Sequence, residues 1–144
     1  MSLSAIEAAI PHRAPFLLID EIVSQSENEI HCRKTFSGDE FWYAGHYPAF
    51  PLTPGVLLCE AAMQAGAVLL ARFCDDQQGV PVATRMNDIR FKRMVRPGET
   101  IDIEVKLTER VSAAFYLTGK ISVAGKLAAR LDFACTLATP QQEA

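Results

Sequence analysis

The chain has no excess of basic residues: 14 Lys and Arg stand against 17 Asp and Glu, a formal net charge of -3. The electrostatic footprint of a nucleic-acid binder, or of a protein that docks on an anionic membrane, is therefore missing. Cysteine is sparse and scattered. Cys32, Cys59, Cys74 and Cys135 share no metal-ligand spacing, so the reading is four reduced thiols in a cytoplasmic protein with no metal centre. The opening MSLSAIEAAIPHR has no basic segment followed by a long apolar one, which predicts no signal peptide. Repeats and low-complexity tracts are lacking as well, which removes solenoids and linkers.

What is present is an ordinary globular balance, 49% hydrophobic and 22% charged over 144 residues, enough for one domain with a core of its own. Residues 1–139 read as that domain, and PQQEA, residues 140–144, as a disordered tail. Phe16 to Val23 is a mostly apolar, strand-like run. Ile30, Cys32 and Phe36 alternate with His31, Arg33 and Thr35, the period of a half-buried strand. Further on, Ile101, Ile103, Val105 and Leu107 alternate with Asp102, Glu104, Lys106 and Thr108. Phe115, Leu117, Ile121 and Val123 share one parity of the next run, and Leu127, Leu131, Phe133, Cys135 and Leu137 one parity of the last. The breaks are short: Pro97-Gly98, Arg110 to Ser112, Ala124-Gly125. Short connections imply antiparallel hairpins, and one face of such a sheet needs a cover.

Pro54 to Phe73 is the candidate cover. Thr53 suits an N-cap and Pro54 the first helical position. Leu57, Leu58, Ala61, Ala62, Ala65, Val68, Leu69 and their neighbours leave almost no polar face, which marks a buried helix. A membrane span is the competing reading, opposed by Glu60 and Gln64 in the middle of the run. The expected fold class is α+β, an antiparallel sheet wrapped around one long central helix.

Glu60 is the anomaly, because burying a carboxylate without a partner is costly. Gln64 lies one turn further on the same side of the helix. Gly55 and Val56 supply amides with no partner inside the helix, at the positive end of its dipole. His46 sits nine residues before Gly55 on a loop stiffened by Pro48 and Pro51. An imidazole, a carboxyl group and an anion-binding helix end are the parts of a proton-transfer site for a carbonyl compound. From the residues alone a second reading stands beside it: a structural loop histidine, a carboxylate paired with an arginine or the backbone, and ordinary Thr-Pro-Gly punctuation.

Gly45-His46-Tyr47-Pro48, Pro51, Pro54-Gly55-Val56-Leu57, Glu60-Ala61 and Gln64 together resemble the signature of the bacterial 3-hydroxyacyl-[acyl-carrier-protein] dehydratases, hotdog-fold enzymes of fatty-acid synthesis. Ile10 to Arg13 with Pro15 to Leu18 and Asp20, and Arg90 to Arg93 with Val95 and Pro97-Gly98, resemble further segments of that family, so the likeness spans roughly residues 10 to 137. It implies a catalytic pair, His46 and Glu60, fourteen residues apart. It implies dehydration of a 3-hydroxyacyl thioester to the trans-2-enoyl thioester without metal or other cofactor. His46 would be the base, Gly55 and Val56 the oxyanion donors, Gln64 a partner of Glu60. Glu60 either protonates the leaving hydroxyl or only orients it. Asp, not Glu, marks the family's dehydratase/isomerase branch. Ala49 and Phe50 depart from the family's loop, as do Thr53 and Cys59 from its usual residues. The bulky Phe50 narrows or reshapes the implied acyl tunnel, so these changes bear on substrate length and pathway, lipid or polyketide-like, rather than on reaction type.

The implied partner is an acyl carrier protein bearing a phosphopantetheine-linked chain. An acidic partner needs a basic patch, and Arg85, Arg90, Lys92, Arg93 and Arg96 cluster within twelve residues. Arg90, Lys92, Arg93 and Arg96 are the docking candidates, with a solvated strand face as the plain alternative. The resemblance also implies a homodimer, or a hexamer built as a trimer of dimers, with His46 and Glu60 of each site drawn from different subunits. His12 and His31 read as structural or surface residues; Trp42 and Tyr43 as channel or core. Two other functions remain: a hotdog acyl-thioester hydrolase, which would have no need of His46, and a non-catalytic acyl-binding module.

Overall fold

The structure, a computed structural model, describes residues 2–74 and 79–138, so the tail expected over residues 140–144 lies outside the described residues. Its elements in chain order are α1 (Leu3–Ala9), β1 (Glu21–Gln25), β2 (Glu29–Thr35), α2 (Gly55–Leu70) with a 3₁₀ turn over Ala71–Phe73, β3 (Val80–Phe91), β4 (Thr100–Val111), β5 (Ala114–Val123) and β6 (Lys126–Ala138). The six strands form one sheet in the order β1-β2-β4-β5-β6-β3, antiparallel at every pairing. The sheet wraps around α2, which is the hotdog arrangement.

The alternation read in the sequence is the alternation of burial. Ile101, Ile103 and Val105 on β4, and Phe115, Leu117, Ile121 and Val123 on β5, point inward. The β5–β6 turn closes through Ala124 and Gly125, both at positive φ (49° and 81°), the geometry of a tight hairpin. Against this face α2 buries Leu58, Val68, Leu69 and Leu70, each worth ~1.5–3 kcal/mol relative to exposure. The helix also presents small residues, Ala61, Ala62, Ala65 and Gly66. A Cβ on Gly66 would stand 2.8 Å from Phe133 Cζ, so glycine there lets helix and sheet approach. The run from Gly55 to Phe73 is long and apolar enough to cross a membrane, but its apolar surface lies largely against the sheet.

Two local expectations fail. Phe16 to Val23 is not one strand: β1 starts at Glu21. Leu17, Leu18 and Ile19 are buried consecutively rather than alternately, and a side chain of α2, Gln64, takes the Phe16 and Leu18 backbone groups that a sheet would have used. Thr53 is not the cap of α2. That position falls to Pro54, and no side chain caps the helix, because the Thr53 hydroxyl is bonded to Tyr43.

β3 is different in kind from β4 to β6. Among the described residues it pairs only with β6, and from Val82 to Phe91 every residue is exposed. Val82, Met86, Ile89 and Phe91 are among the large apolar side chains left in solvent.

Candidate active site

The loop between β2 and α2 is tied down at both ends. Tyr43 is buried edge-on to Phe36, with ring centroids 6.4 Å apart. Its hydroxyl and that of Thr53 share a 2.6 Å hydrogen bond, and the Thr53 amide donates to the Val95 carbonyl at 2.8 Å. Burial pushes the Tyr43 phenol up from its ordinary value, so it stays protonated. Trp42 joins the same aromatic cluster, 6.0 Å from Phe36, so both residues are core.

Between these anchors sits His46, half-buried, with Nδ1 3.1 Å from the Leu52 carbonyl oxygen. A carbonyl can only accept, so Nδ1 carries the proton and, in the neutral ring, Nε2 carries the lone pair. The Tyr47 ring stands edge-on to the imidazole at 4.9 Å.

At the start of α2 the Leu57 amide donates to the Pro54 carbonyl at 2.9 Å, and the helix has no side-chain cap. The Gly55 and Val56 amides thus lie at the positive end of the macrodipole, open to an oxygen ligand. Val56 is 72% exposed. Gly55 lies under the ring of Phe91: a Cβ there would come within 2.7 Å of Phe91 Cε1, so only glycine fits beneath that ring as it stands.

One turn along, Glu60 is 23% exposed at its side chain. Its Oε2 accepts a hydrogen bond from Gln64 Nε2 at 3.1 Å. Gln64 is buried, 1% exposed. Its Oε1 accepts from the Leu18 amide at 2.7 Å, and its Nε2 also donates to the Phe16 carbonyl at 2.9 Å. These two backbone partners leave the amide one orientation, so Gln64 always presents a donor to Glu60. The structure therefore brings Gly55, Val56, Glu60 and Gln64 together on one helix. Among the described residues, no hydrogen bond or ion pair joins His46 to Glu60 within the chain.

The basic residues proposed for docking differ in their surroundings. Arg90 is exposed and paired with Asp88 at 3.0 Å; Lys92 is exposed. Arg93 bonds Glu99 at 2.9 Å and the Val123 carbonyl at 3.3 Å. The Arg96 guanidinium lies over the Phe50 ring, 4.1 Å from its centre, which ties the catalytic loop to the segment after β3. His31 sits in a surface pair with Asp102 at 2.7 Å. Sequence reasoning missed His12. Its Nε2 lies 3.7 Å from Glu60 Oε2, a contact across 48 residues that no periodicity encodes, although His12 belongs to the N-terminal stretch that resembled the dehydratases.

The family model that matches, ApeI-like (ApeI dehydratase), covers residues 22–127. A 3-hydroxyacyl-[acyl-carrier-protein] dehydratase FabZ of Syntrophobacter fumaroxidans is 33% identical over 144 residues, 99% of this chain and 98% of that one. The FabZ of Staphylococcus carnosus is 39% identical over 125 residues, covering 85% and 86%. Among solved structures, a dehydratase heterocomplex ApeI:P from Xenorhabdus doucetiae superposes with a TM-score of 0.80 at 20% identity, covering 94% of this chain and 91% of that one. A thioesterase-like protein of Ralstonia eutropha superposes at 0.66 with 18% identity, covering 81% and 83%. By its sequence relatives, and with the hotdog fold to match, the chain belongs to the family of 3-hydroxyacyl-[acyl-carrier-protein] dehydratases.

Proposed function

We propose that this chain removes water from 3-hydroxyacyl thioesters presented on an acyl carrier protein, with His46 and Glu60 as its catalytic residues. The observation that carries the assignment is the bond from His46 Nδ1 to the Leu52 carbonyl, 3.1 Å long, which aims the lone pair of Nε2 outward as a base. His46 takes the proton from the carbon next to the thioester carbonyl. The negative charge that develops on the thioester oxygen is met by the Gly55 and Val56 amides, which need no reorganisation to receive it. The carbon–oxygen bond to the 3-hydroxyl then breaks, and that oxygen leaves as water with the proton that His46 took up, passed on through Glu60. Glu60, held by Gln64, holds the departing oxygen. The electrons of the broken carbon–hydrogen bond become the double bond of the enoyl product.

The site is composite in this reading. His46 and Glu60 of one active site come from two copies of the chain, paired through β3. Support comes from β3 itself, which among the described residues lies at one edge of the sheet and leaves Val82, Met86, Ile89 and Phe91 exposed, a combination that ordinarily invites a second strand. Val56 and Phe91 at the helix start, 72% and 52% exposed, are the surface such a partner would cover. Trimers of dimers are a further assembly of the same unit. Arg90, Lys92, Arg93 and Arg96 form the carrier-protein face at the rim. Phe50, held under Arg96, would then border the acyl entrance. Among the described residues Cys32, Cys59 and Cys135 are buried thiols in no disulfide, in keeping with a cytoplasmic setting.

Incubation with a 3-hydroxyacyl carrier-protein thioester tests this. Mass spectrometry should find the acyl chain lighter by one water and still thioester-linked, and Glu60→Gln should lower turnover by at least ~100-fold. Free carrier thiol would instead mark a hydrolase, and an unchanged substrate a binding module.

A further inference from the structure

Among the described residues outside the motif, the titratable side chain of His12 faces the site. Its Nε2 faces Glu60 Oε2 at 3.7 Å, and its Nδ1 is buried with no hydrogen-bond partner among the described residues. A lone pair on Nε2 would be repelled by a carboxylate oxygen, whereas an N–H there is attracted. The ring therefore presents its Nε2–H to Glu60.

The approach is held from both sides. Upstream, Arg13 clamps its own segment: Nη1 donates to the Ile10 and His12 carbonyls, both at 2.8 Å, and Nη2 to the Glu7 carbonyl at 2.9 Å. Downstream, Gln64 fixes the Phe16 carbonyl and the Leu18 amide. The N-terminal segment is thus tied to α2, with His12 facing the same carboxyl oxygen that Gln64 contacts from the helix. Gln64 bonds Oε2 at 3.1 Å and His12 faces the same oxygen from 3.7 Å, an electrostatic contact beyond hydrogen-bond distance, which leaves Oε1 to face a substrate.

We propose that His12 is a positioning residue for the dehydration, acting through Glu60: with Gln64 it fixes the carboxyl group so that Oε1 meets the departing 3-hydroxyl. The inference rests on Glu60 being catalytic. It requires a donor at the place of Nε2, not merely a ring in the space.

Four variants separate these requirements: His12→Phe keeps the ring and removes the donor, His12→Gln keeps a donor near the Nε2 position, His12→Asn moves it toward Nδ1, and Glu60→Gln is the reference. With a 3-hydroxyacyl carrier-protein substrate, His12→Phe should lower kcat by about 10- to 100-fold, the usual effect of a misplaced reacting group. Its KM should stay within about twofold, since substrate binding is untouched. His12→Gln should recover most of the turnover, and His12→Asn should not. Wild-type kcat in His12→Phe, or His12→Gln as slow as His12→Phe, overturns the inference. So does a rise in KM at constant kcat. Should His12→Phe fail to fold, the order of Gln over Asn decides, because both are small polar replacements that differ in where the donor lies. A slow Glu60→Gln beside a normal His12→Phe removes only the role of His12. A normal Glu60→Gln removes the catalytic reading and this inference with it.

Discussion

Replacing Gln64 by leucine keeps the volume and deletes every hydrogen bond the side chain makes. Three partners lose their bonds: the Leu18 amide at 2.7 Å, the Phe16 carbonyl at 2.9 Å and Glu60 Oε2 at 3.1 Å. Leu18 is fully buried, 0% exposed, so its stranded N–H bears close to the whole desolvation penalty, ~1–3 kcal/mol. The Phe16 carbonyl is nearer the surface and loses less, and Glu60 can turn to water. The apolar leucine recovers on the order of 1 kcal/mol by its burial. The net is a loss of about 1–3 kcal/mol, a large share of the ~5–15 kcal/mol that holds a typical domain together. In urea, with a slope of ~2 kcal/mol/M, the midpoint should fall by roughly 0.5–1.5 M. Glu60 also loses its fixed donor, so turnover should drop under conditions where Gln64→Leu is still folded. An unchanged midpoint together with unchanged turnover would refute the idea that Gln64 joins the N-terminal segment to the catalytic helix.

Other outcomes follow from single contacts. Gly66→Ala gains helix propensity, about 1 kcal/mol, but drives a Cβ to 2.8 Å from Phe133 Cζ; overpacking at ~1–3 kcal/mol should win, and thermal melting should show a net loss. Arg90→Glu with Lys92→Glu should raise KM for carrier-protein substrates by tenfold or more, about 1.4 kcal/mol, while sparing short acyl-thioester analogues, because these charges steer an acidic partner; equal losses on both would contradict a docking role. Burial works to raise the Asp102 carboxyl, but hydrogen bonds and charge from Arg33 and His31 outweigh it and hold the group below its ordinary value. The group therefore adds stability above the unfolded carboxylate range, near 3.9, that is lost as pH falls through the lower folded value. Asp102→Asn should be less stable than wild type at neutral pH, with the gap closing in acid denaturation series.

How far the chain could be read in one dimension depended on where each residue's partner lies. β4, over Ile101 to Val105, and β5 alternate because one face meets α2 and the other is more open to water, whereas on β6 Ala128 and Ala129, and again Phe133 to Cys135, are buried in succession. α2 was legible because an all-apolar run with a single carboxylate has few places to go. His46, Gly55, Glu60 and Gln64 fall within one short segment, so their chemistry could be inferred together. β3 leaves no such trace, since from Val82 to Phe91 every residue is exposed and no burial alternation survives. α1, seven residues long, is too short to print a periodicity. Leu17 to Ile19 mislead because their backbone is satisfied by Gln64, 46 residues away. His12 escaped for the same reason, its partner being set by tertiary packing alone.

The shared site is the most exposed claim, and one complementation measurement reaches it. His46→Ala and Glu60→Ala chains, separately tagged, are co-expressed so that subunits assort at random and mixed dimers can be isolated. If each site draws His46 from one chain and Glu60 from its partner, a mixed dimer holds one intact site and one doubly damaged site. With half the dimers mixed, the unfractionated pool should recover roughly a quarter of wild-type turnover, as two-fold symmetry dictates. Purified mixed dimers should reach about half. Mixed dimers that form and yet stay as inactive as either parent would place His46 and Glu60 of one site in a single chain, and the composite site would be wrong.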